Sequence, residues 1–308
     1  MNSSVDRVTI VPYRGFGKNG KIYISGHAFR GYGIQPPERG SVIKNFIQMT
    51  RRYSLKPMGG LKLSLNIFNR VETIHTDDNG FFRAILPIKA NPGVYRYSVS
   101  NSHNNESFSS GLYVYDEDST GVLSDIDDTI LLSYVHQKYK MLWLLIAKNA
   151  LTRNPVPQIK GILNTIKTHN NSISPHDFFY VSNSEWNLYD FLVDFFKEND
   201  LPDGVFMLQR FKKNFRDAVF SSQKKDDHKF DSIRFILNLF TEKKFILVGD
   251  NGQRDLETYA RITNLFAKRI KAVVIRDIGL AKYRRKNKEY EQQIHDLNIP
   301  VDHISSRL

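Results

Sequence analysis

The stretch Thr120–Ser133, TGVLSDIDDTILLS, sets Asp125, Asp127 and Asp128 between two apolar segments. An apolar run that stops abruptly at acids reads as a buried strand whose carboxyl end opens on solvent. Three further runs follow the same grammar. DFFYVSNS (177–184) turns polar at Ser182, KFILVGDNG (244–252) at Asp250, and KAVVIRD (271–277) at Arg276 and Asp277, while GVFML (204–208) is a candidate fifth strand. Helical patterns lie between them, in EWNLYDFLVDFFKEN (185–199) and in FDSIRFILNLFTEK (230–243), the latter carried by Phe230, Ile233, Phe235, Ile236, Leu237 and Phe240. Strands alternating with helices predict an α/β domain with a parallel sheet, in which ligands bind beyond the carboxyl ends of the strands. All the polar residues just named fall at those ends.

Working back from Thr120, the grammar changes. LKLSLNIF (61–68) puts Leu61, Leu63, Leu65 and Ile67 on one face, and KIYISGHAF, FFRAILPI, GVYRYSVS and GLYVYD are runs of similar length separated by Gly, Asn and Pro. This predicts a small all-β antiparallel sandwich over residues 1–118, with the α/β domain occupying 119–308. SVIKNFIQMTRRYSL (41–55) interrupts the sandwich with helical spacing. TDDNGFF (76–82) resembles the turn-then-strand signature of transthyretin-like and carboxypeptidase-regulatory-like sandwiches. Asp77 and Asn79 favour the turn, Gly80 supplies a positive φ, and Phe81 or Phe82 enters the core, a reading preferred to calcium binding by Asp77 and Asp78.

Composition narrows the chemistry. The chain contains no cysteine, which excludes disulfides, thiolate metal sites and a cysteine nucleophile and suits a reducing compartment. The N-terminus lacks the apolar core of a secretory signal, and no apolar run approaches the roughly 20 residues of a membrane span, so a soluble, cytoplasmic protein is expected. The net charge of +12 is shared evenly: residues 1–118 hold 15 Lys/Arg against 9 Asp/Glu, and the remainder 29 against 23. Such an excess suits general solubility or an anionic partner, whether a phosphorylated substrate, a lipid surface or nucleic acid.

Asp125 and Asp127 leave the same strand end two residues apart. Two carboxylates side by side need either a proton or a cation between them. Both serve phosphoryl transfer, where one carboxylate attacks phosphorus and its neighbour donates a proton to the leaving oxygen and then activates water. The pattern resembles the haloacid dehalogenase superfamily, whose four elements can all be matched in order: DIDDT, FYVSNS, Lys229 opening the helix in DDHKFDSIRFIL, and LVGDNGQRD. The resemblance implies a haloacid-dehalogenase-like parallel sheet with flanking helices, Asp125 as nucleophile, Asp127 as general acid/base, and Mg2+ held by Asp125, the main-chain carbonyl of Asp127 and Asp250, with Asp255 a ligand through water or a support behind the others. It implies Ser182 and Lys229 at the phosphoryl oxygens, joined by Asn183 and Thr129. Ser184 is an alternative to Ser182, and Lys224 and Lys225 are alternatives to Lys229. Asp128 and Thr129 also suit a turn and a helix cap.

A narrower resemblance is carried by GVLSDIDDTI, FFYVSNSEWNLYDFL, HKFDSIRFILNLF and KFILVGDNGQRDLETYARI…RIKAVVIRD. These are similar to the catalytic domain of the actin-patch-protein phosphatidate phosphatases, over most of residues 119–279. Bacterial members of that family likewise place a β-sandwich before the catalytic domain. The resemblance implies Mg2+-dependent hydrolysis of phosphatidate to diacylglycerol and phosphate. Asn251, Leu256 and Glu185 depart from the family pattern without removing a chemical group from the mechanism. The apolar, Trp143-bearing segment HQKYKMLWLLIAKNALTRNPVP (136–157), flanked by Lys138, Lys140, Lys148 and Arg153, fits either an anionic membrane interface or a helix packed on the domain. RFKKNFRDAVF (210–220) fits phosphates or membrane, and no aromatic recognition motif accompanies it, so nucleic acid is not an expected partner. KYRRKNKEYEQQIHDLNIP (282–300) reads as a charged surface helix. Two other activities fit the same residues: hydrolysis of soluble phosphomonoesters, and phosphatidate binding without catalysis.

Overall fold

The computed structural model describes residues 8–31, 56–101, 106–126, 161, 163, 166, 176–209, 227–252, 254–278 and 283–305. The expected helix at 41–55, the segments 136–157 and 210–220, and Asp127, Asp128 and Thr129 lie outside the described residues. The chain divides into two compact units, with the break between Tyr115 and Asp116.

The first unit is built from strands β1 (Val8–Pro12), β2 (Gly15–Lys18), β3 (Lys21–Arg30), β4 (Lys56–Pro57), β5 (Lys62–Ile67), β6 (Arg70–His75), β7 (Phe81–Leu86), β8 (Gly93–Asn101) and β9 (Ser107–Tyr115). They form one hydrogen-bonded set in the order β1-β3-β2-β9-β8-β5-β6, with β4 and β7 also paired to β3. All pairings are antiparallel except β2 with β9, which is parallel. Alternation does its expected work in β5, where Leu63, Leu65 and Ile67 are buried while the residues between them are not. They join Ile22 and Ile24 of β3, Phe82 of β7, Val99 of β8 and Leu112 and Val114 of β9 in one core, so the two arms of the sheet fold over a shared interior. The 76–82 turn forms as its residues predict. The Asp77 carboxylate accepts from the backbone N–H of Asn79 (2.9 Å) and Phe81 (3.0 Å), Gly80 takes φ 71°, and Phe82 is fully buried.

Among the described residues the second unit holds six strands: β10 (Thr120–Asp125), β11 (Phe178–Glu185), β12 (Gly204–Gln209), β13 (Lys244–Asp250), β14 (Ile270–Asp277) and β15 (Val301–Ser305). Among the described residues, four complete helices connect or flank them: α1 (Tyr189–Glu198), α2 (Asp227–Leu239), α3 (Asp255–Phe266) and α4 (Arg284–His295). All neighbouring strands are parallel, in the order β12-β11-β10-β13-β14-β15. β10 sits at the centre and every residue of it is buried, which is why its sequence shows no alternation of apolar and polar residues. Aromatic side chains fill one flank of the sheet, with Tyr180, Phe196 and Phe206 in mutual contact at ring distances of 4.5–5.2 Å. β15 is a strand that the reading of the 282–300 tail did not foresee.

Successive strands step outward from β10 in one direction through β11 and β12, and in the other through β13 and β14 to β15. The order therefore reverses between β10 and β13, the point where a parallel sheet opens a crevice at its carboxyl edge. Ser124 is level with Val248, which sets Asp125 and Asp250 on adjacent strands beside that crevice.

Candidate active site

Asp125 closes β10 and Asp250 closes β13, both buried. Asp255 opens α3 five residues later and is buried as well. Lys229 occupies the first turn of α2, 7% exposed. Its Nζ lies 2.7 Å from Asp125 Oδ1 and donates to Asp255 Oδ1, also at 2.7 Å. The second oxygen of Asp255 accepts from the backbone N–H of Asp250 at 3.2 Å, so this carboxylate ties the lysine to the end of β13. Four of the residues expected from sequence therefore meet at the switch point.

One oxygen from each of Asp125, Asp250 and Asp255 lies within 4.8 Å of the others. Among the described residues three buried carboxylates gather around the Lys229 ammonium. Burying carboxylates this close together is costly, and a divalent cation is a natural counterpart. The donors are all oxygen, which suits a hard cation that keeps some of its water. The residues present thus fit a metal ion.

The remaining expectations resolve unevenly. Ser182 is fully buried on β11, one residue past Val181, the register partner of Asp125, and Asn183 beside it is half-buried. Lys229 stands within the acidic cluster, while Lys224 and Lys225, like Asp127 and Thr129, lie outside the described residues.

Several residues of the site carried no signal of their own in the sequence. A Cβ on Gly249 would sit 2.8 Å from both Asp255 Oδ2 and the Tyr259 ring, so the glycine is what lets α3 close on β13. The Tyr259 hydroxyl donates to the Val248 carbonyl at 2.8 Å. Burial first, then the negative charges of Asp255 and Asp125, hold that hydroxyl protonated well above the ordinary tyrosine range. Asn251 and Asn287 of α4 meet beside Asp250, with Asn287 Nδ2 donating to the Asn251 carbonyl at 2.7 Å. The spacing of motifs does not report such contacts, because they join residues 36 positions apart.

Fold and site together define a parallel α/β domain with a cation-seeking acid cluster at its topological switch point. Comparison with known families then places it: the model of the family described as phosphatidate phosphatase APP1, catalytic domain, matches residues 120–277, just over half of the 308 residues. The chain belongs to that family. Among curated proteins it is 34% identical over 157 residues to phosphatidate phosphatase APP1 of Saccharomyces cerevisiae, covering 51% of this chain and 25% of the relative. It is 28% identical over 186 residues to the uncharacterized protein C29B5.04c of Schizosaccharomyces pombe, covering 59% and 29%. The chain thus spans less than a third of the length of either relative. Among solved structures, a carbohydrate acetylesterase from Xanthomonas citri is similar at a TM-score of 0.32 and 12% identity, over 94% of this chain and 65% of that one, a level that carries no argument.

Proposed function

We propose that the chain is a Mg2+-dependent phosphatidate phosphatase that hydrolyses phosphatidate to diacylglycerol and phosphate through an aspartyl-phosphate on Asp125. In this reading residues 119–308 form a haloacid-dehalogenase-like catalytic domain and residues 1–118 a transthyretin-like sandwich domain. The observation that carries it is the meeting of Asp125, Lys229, Asp250 and Asp255 at the switch point of a chain in this family.

Asp125, the main-chain carbonyl of Asp127 and Asp250 would hold Mg2+, with Asp255 acting through water or from behind, and the bound ion neutralises charge on the phosphoryl oxygens. The chain's own residues do the rest. An oxygen of Asp125 attacks phosphorus, and the ester P–O bond breaks as Asp127 gives its proton to the departing diacylglycerol oxygen. Asp127 then takes a proton from water, whose oxygen attacks the same phosphorus and releases phosphate and the free Asp125 carboxylate. Lys229, Ser182, Asn183 and Thr129 hold the phosphoryl oxygens. The 2.7 Å approach of Lys229 to Asp125 supports this, because it keeps a positive charge where the phosphoryl group would arrive.

The exposed Arg284, Arg285, Lys286 and Lys288 at the start of α4, the helix that reaches Asn251 beside the site, support a substrate met at an anionic surface. Among the described residues no helix is long and apolar enough to cross a membrane. A cytoplasmic protein with peripheral membrane contact is the corresponding proposal. The test is phosphate release from phosphatidate in mixed micelles compared with a panel of soluble phosphomonoesters, each with and without Mg2+. Preference for phosphatidate is expected, and preference for the soluble panel would overturn the lipid assignment.

A further inference from the structure

α4 is the most polar of these four described helices, and among its twelve residues only Asn287 and Ile294 are buried. A leucine-sized apolar residue would be the economical choice for a second buried position, since burying an amide costs free energy unless its groups find partners. Asn287 finds its partner at the metal loop, donating from Nδ2 to the Asn251 carbonyl oxygen at 2.7 Å. The other polar groups of Asn251 are engaged too. Its N–H donates to the Arg276 carbonyl (3.1 Å), its Nδ2 donates to Asp277 Oδ1 (2.7 Å), and its Oδ1 accepts from the N–H of Ile278 (2.9 Å).

The next bond links this loop to the site. The N–H of Gly252 donates to Asp250 Oδ1 at 2.6 Å. That N–H and the Asn251 carbonyl belong to one peptide group, which is planar, so turning one end turns the other. Asn287 grips the oxygen end while Asp250 receives the hydrogen end. We propose that Asn287 is a positioning residue for Asp250: by fixing the Asn251–Gly252 peptide from α4, it sets the orientation of the Asp250 carboxylate toward a bound cation. This rests on the cation reading of the Asp125–Asp250–Asp255 cluster. The role is one of orientation, not of contact with substrate.

The test uses the full chain, with Mg2+ alone as probe and the Mg2+ concentration at half-maximal thermal stabilisation as the first readout. Asn287→Leu keeps the volume and removes the donor. It is expected to raise the half-saturating Mg2+ concentration about 10-fold, in stabilisation and in phosphate release alike, while the rate at saturating Mg2+ stays close to wild type. Ile294→Ala loosens the same helix without touching Asn287, and should lower the Mg2+-free melting temperature and leave the Mg2+ midpoint in place. An Asn287→Leu midpoint within about two-fold of wild type, or an equal shift in Ile294→Ala, overturns the inference. Asp250→Asn separates the two levels. If it keeps full Mg2+ stabilisation, the cation reading fails and takes this inference with it; if it loses stabilisation while Asn287→Leu does not, only the role of Asn287 fails.

Discussion

Two lysines are buried against carboxylates at opposite edges of the parallel sheet, and their surroundings differ in one respect. At the amino edge Lys243, just before β13, donates to Asp177 Oδ1, just before β11, at 2.8 Å, and both side chains are fully buried. Its ammonium also reaches the carbonyls of Asp116 (3.0 Å) and Ser119 (3.4 Å) and the Ser119 hydroxyl. The Lys243 ammonium thus has one carboxylate in direct contact and neutral oxygens around it. At the carboxyl edge Lys229 meets two carboxylates, with a third close by. The first arrangement is an ion pair surrounded by neutral acceptors. The second gathers three acids whose oxygens lie within reach of one cation. Burial of an ion pair therefore does not by itself mark a functional site; a cluster of acids at the carboxyl edge of a parallel sheet is the better mark.

Substitution of each lysine sharpens the contrast. The largest effect is expected from Lys229→Met, with phosphate release falling on the order of 100- to 1000-fold, as when a donor to developing negative charge is removed. Its stability should depend on Mg2+, because three carboxylates remain without their ammonium; melting curves with and without Mg2+ read this directly. Lys243→Met is expected to do the reverse. Unfolding in urea should show a loss of about 3–5 kcal/mol, the cost of leaving a buried partner unpaired, with no dependence on Mg2+ and with activity per folded molecule retained. Lys243→Met combined with Asp177→Leu should recover most of that loss, since an apolar pair of similar volume leaves no buried charge behind. An activity defect in this double variant at temperatures where it is folded would break the distinction between the two edges.

The smallest expected effect is in the pH dependence. Burial holds the Lys243 ammonium below the ordinary lysine value, outweighing the opposing attraction of Asp177, Asp116 and Glu117. As pH rises, the folded chain gives up this proton before the unfolded chain does. Across the interval between the two values the unfolded chain binds more protons, so the contribution of Lys243 to stability increases with pH there. The difference in unfolding free energy between wild type and Lys243→Met, read from urea titrations, should grow toward the ordinary lysine value of about 10.4, by less than about 1.4 kcal/mol for each pH unit crossed. A difference that shrinks over that range would contradict the assignment.

The two edges were unequally legible in the sequence. Asp125, Ser182 and Asp250 stand out because each stands where an apolar strand ends. Lys229 is legible from the amphipathic helix it opens. Lys243 is not: it sits in EKKFILV beside Lys244, which is exposed, and the pattern does not tell which of the two turns inward. Asn287 is hidden for a related reason, as one polar residue in a helix of polar residues whose burial depends on a loop 36 positions away. β15 escaped notice because Asp302 and His303 are exposed on an edge strand, where little apolar alternation is needed. In the first unit β5 was read from its alternation, whereas the parallel pairing of β2 with β9 depends on contacts between residues about 97 positions apart, which no local pattern encodes.

The most direct test of the account is Mg2+-dependent phosphate release from phosphatidate by wild type, Asp125→Asn and the Lys243→Met/Asp177→Leu variant, measured side by side on folded protein. The account predicts turnover by wild type and by the amino-edge variant, and a loss of at least about 1000-fold in Asp125→Asn. Near wild-type turnover by Asp125→Asn would contradict it.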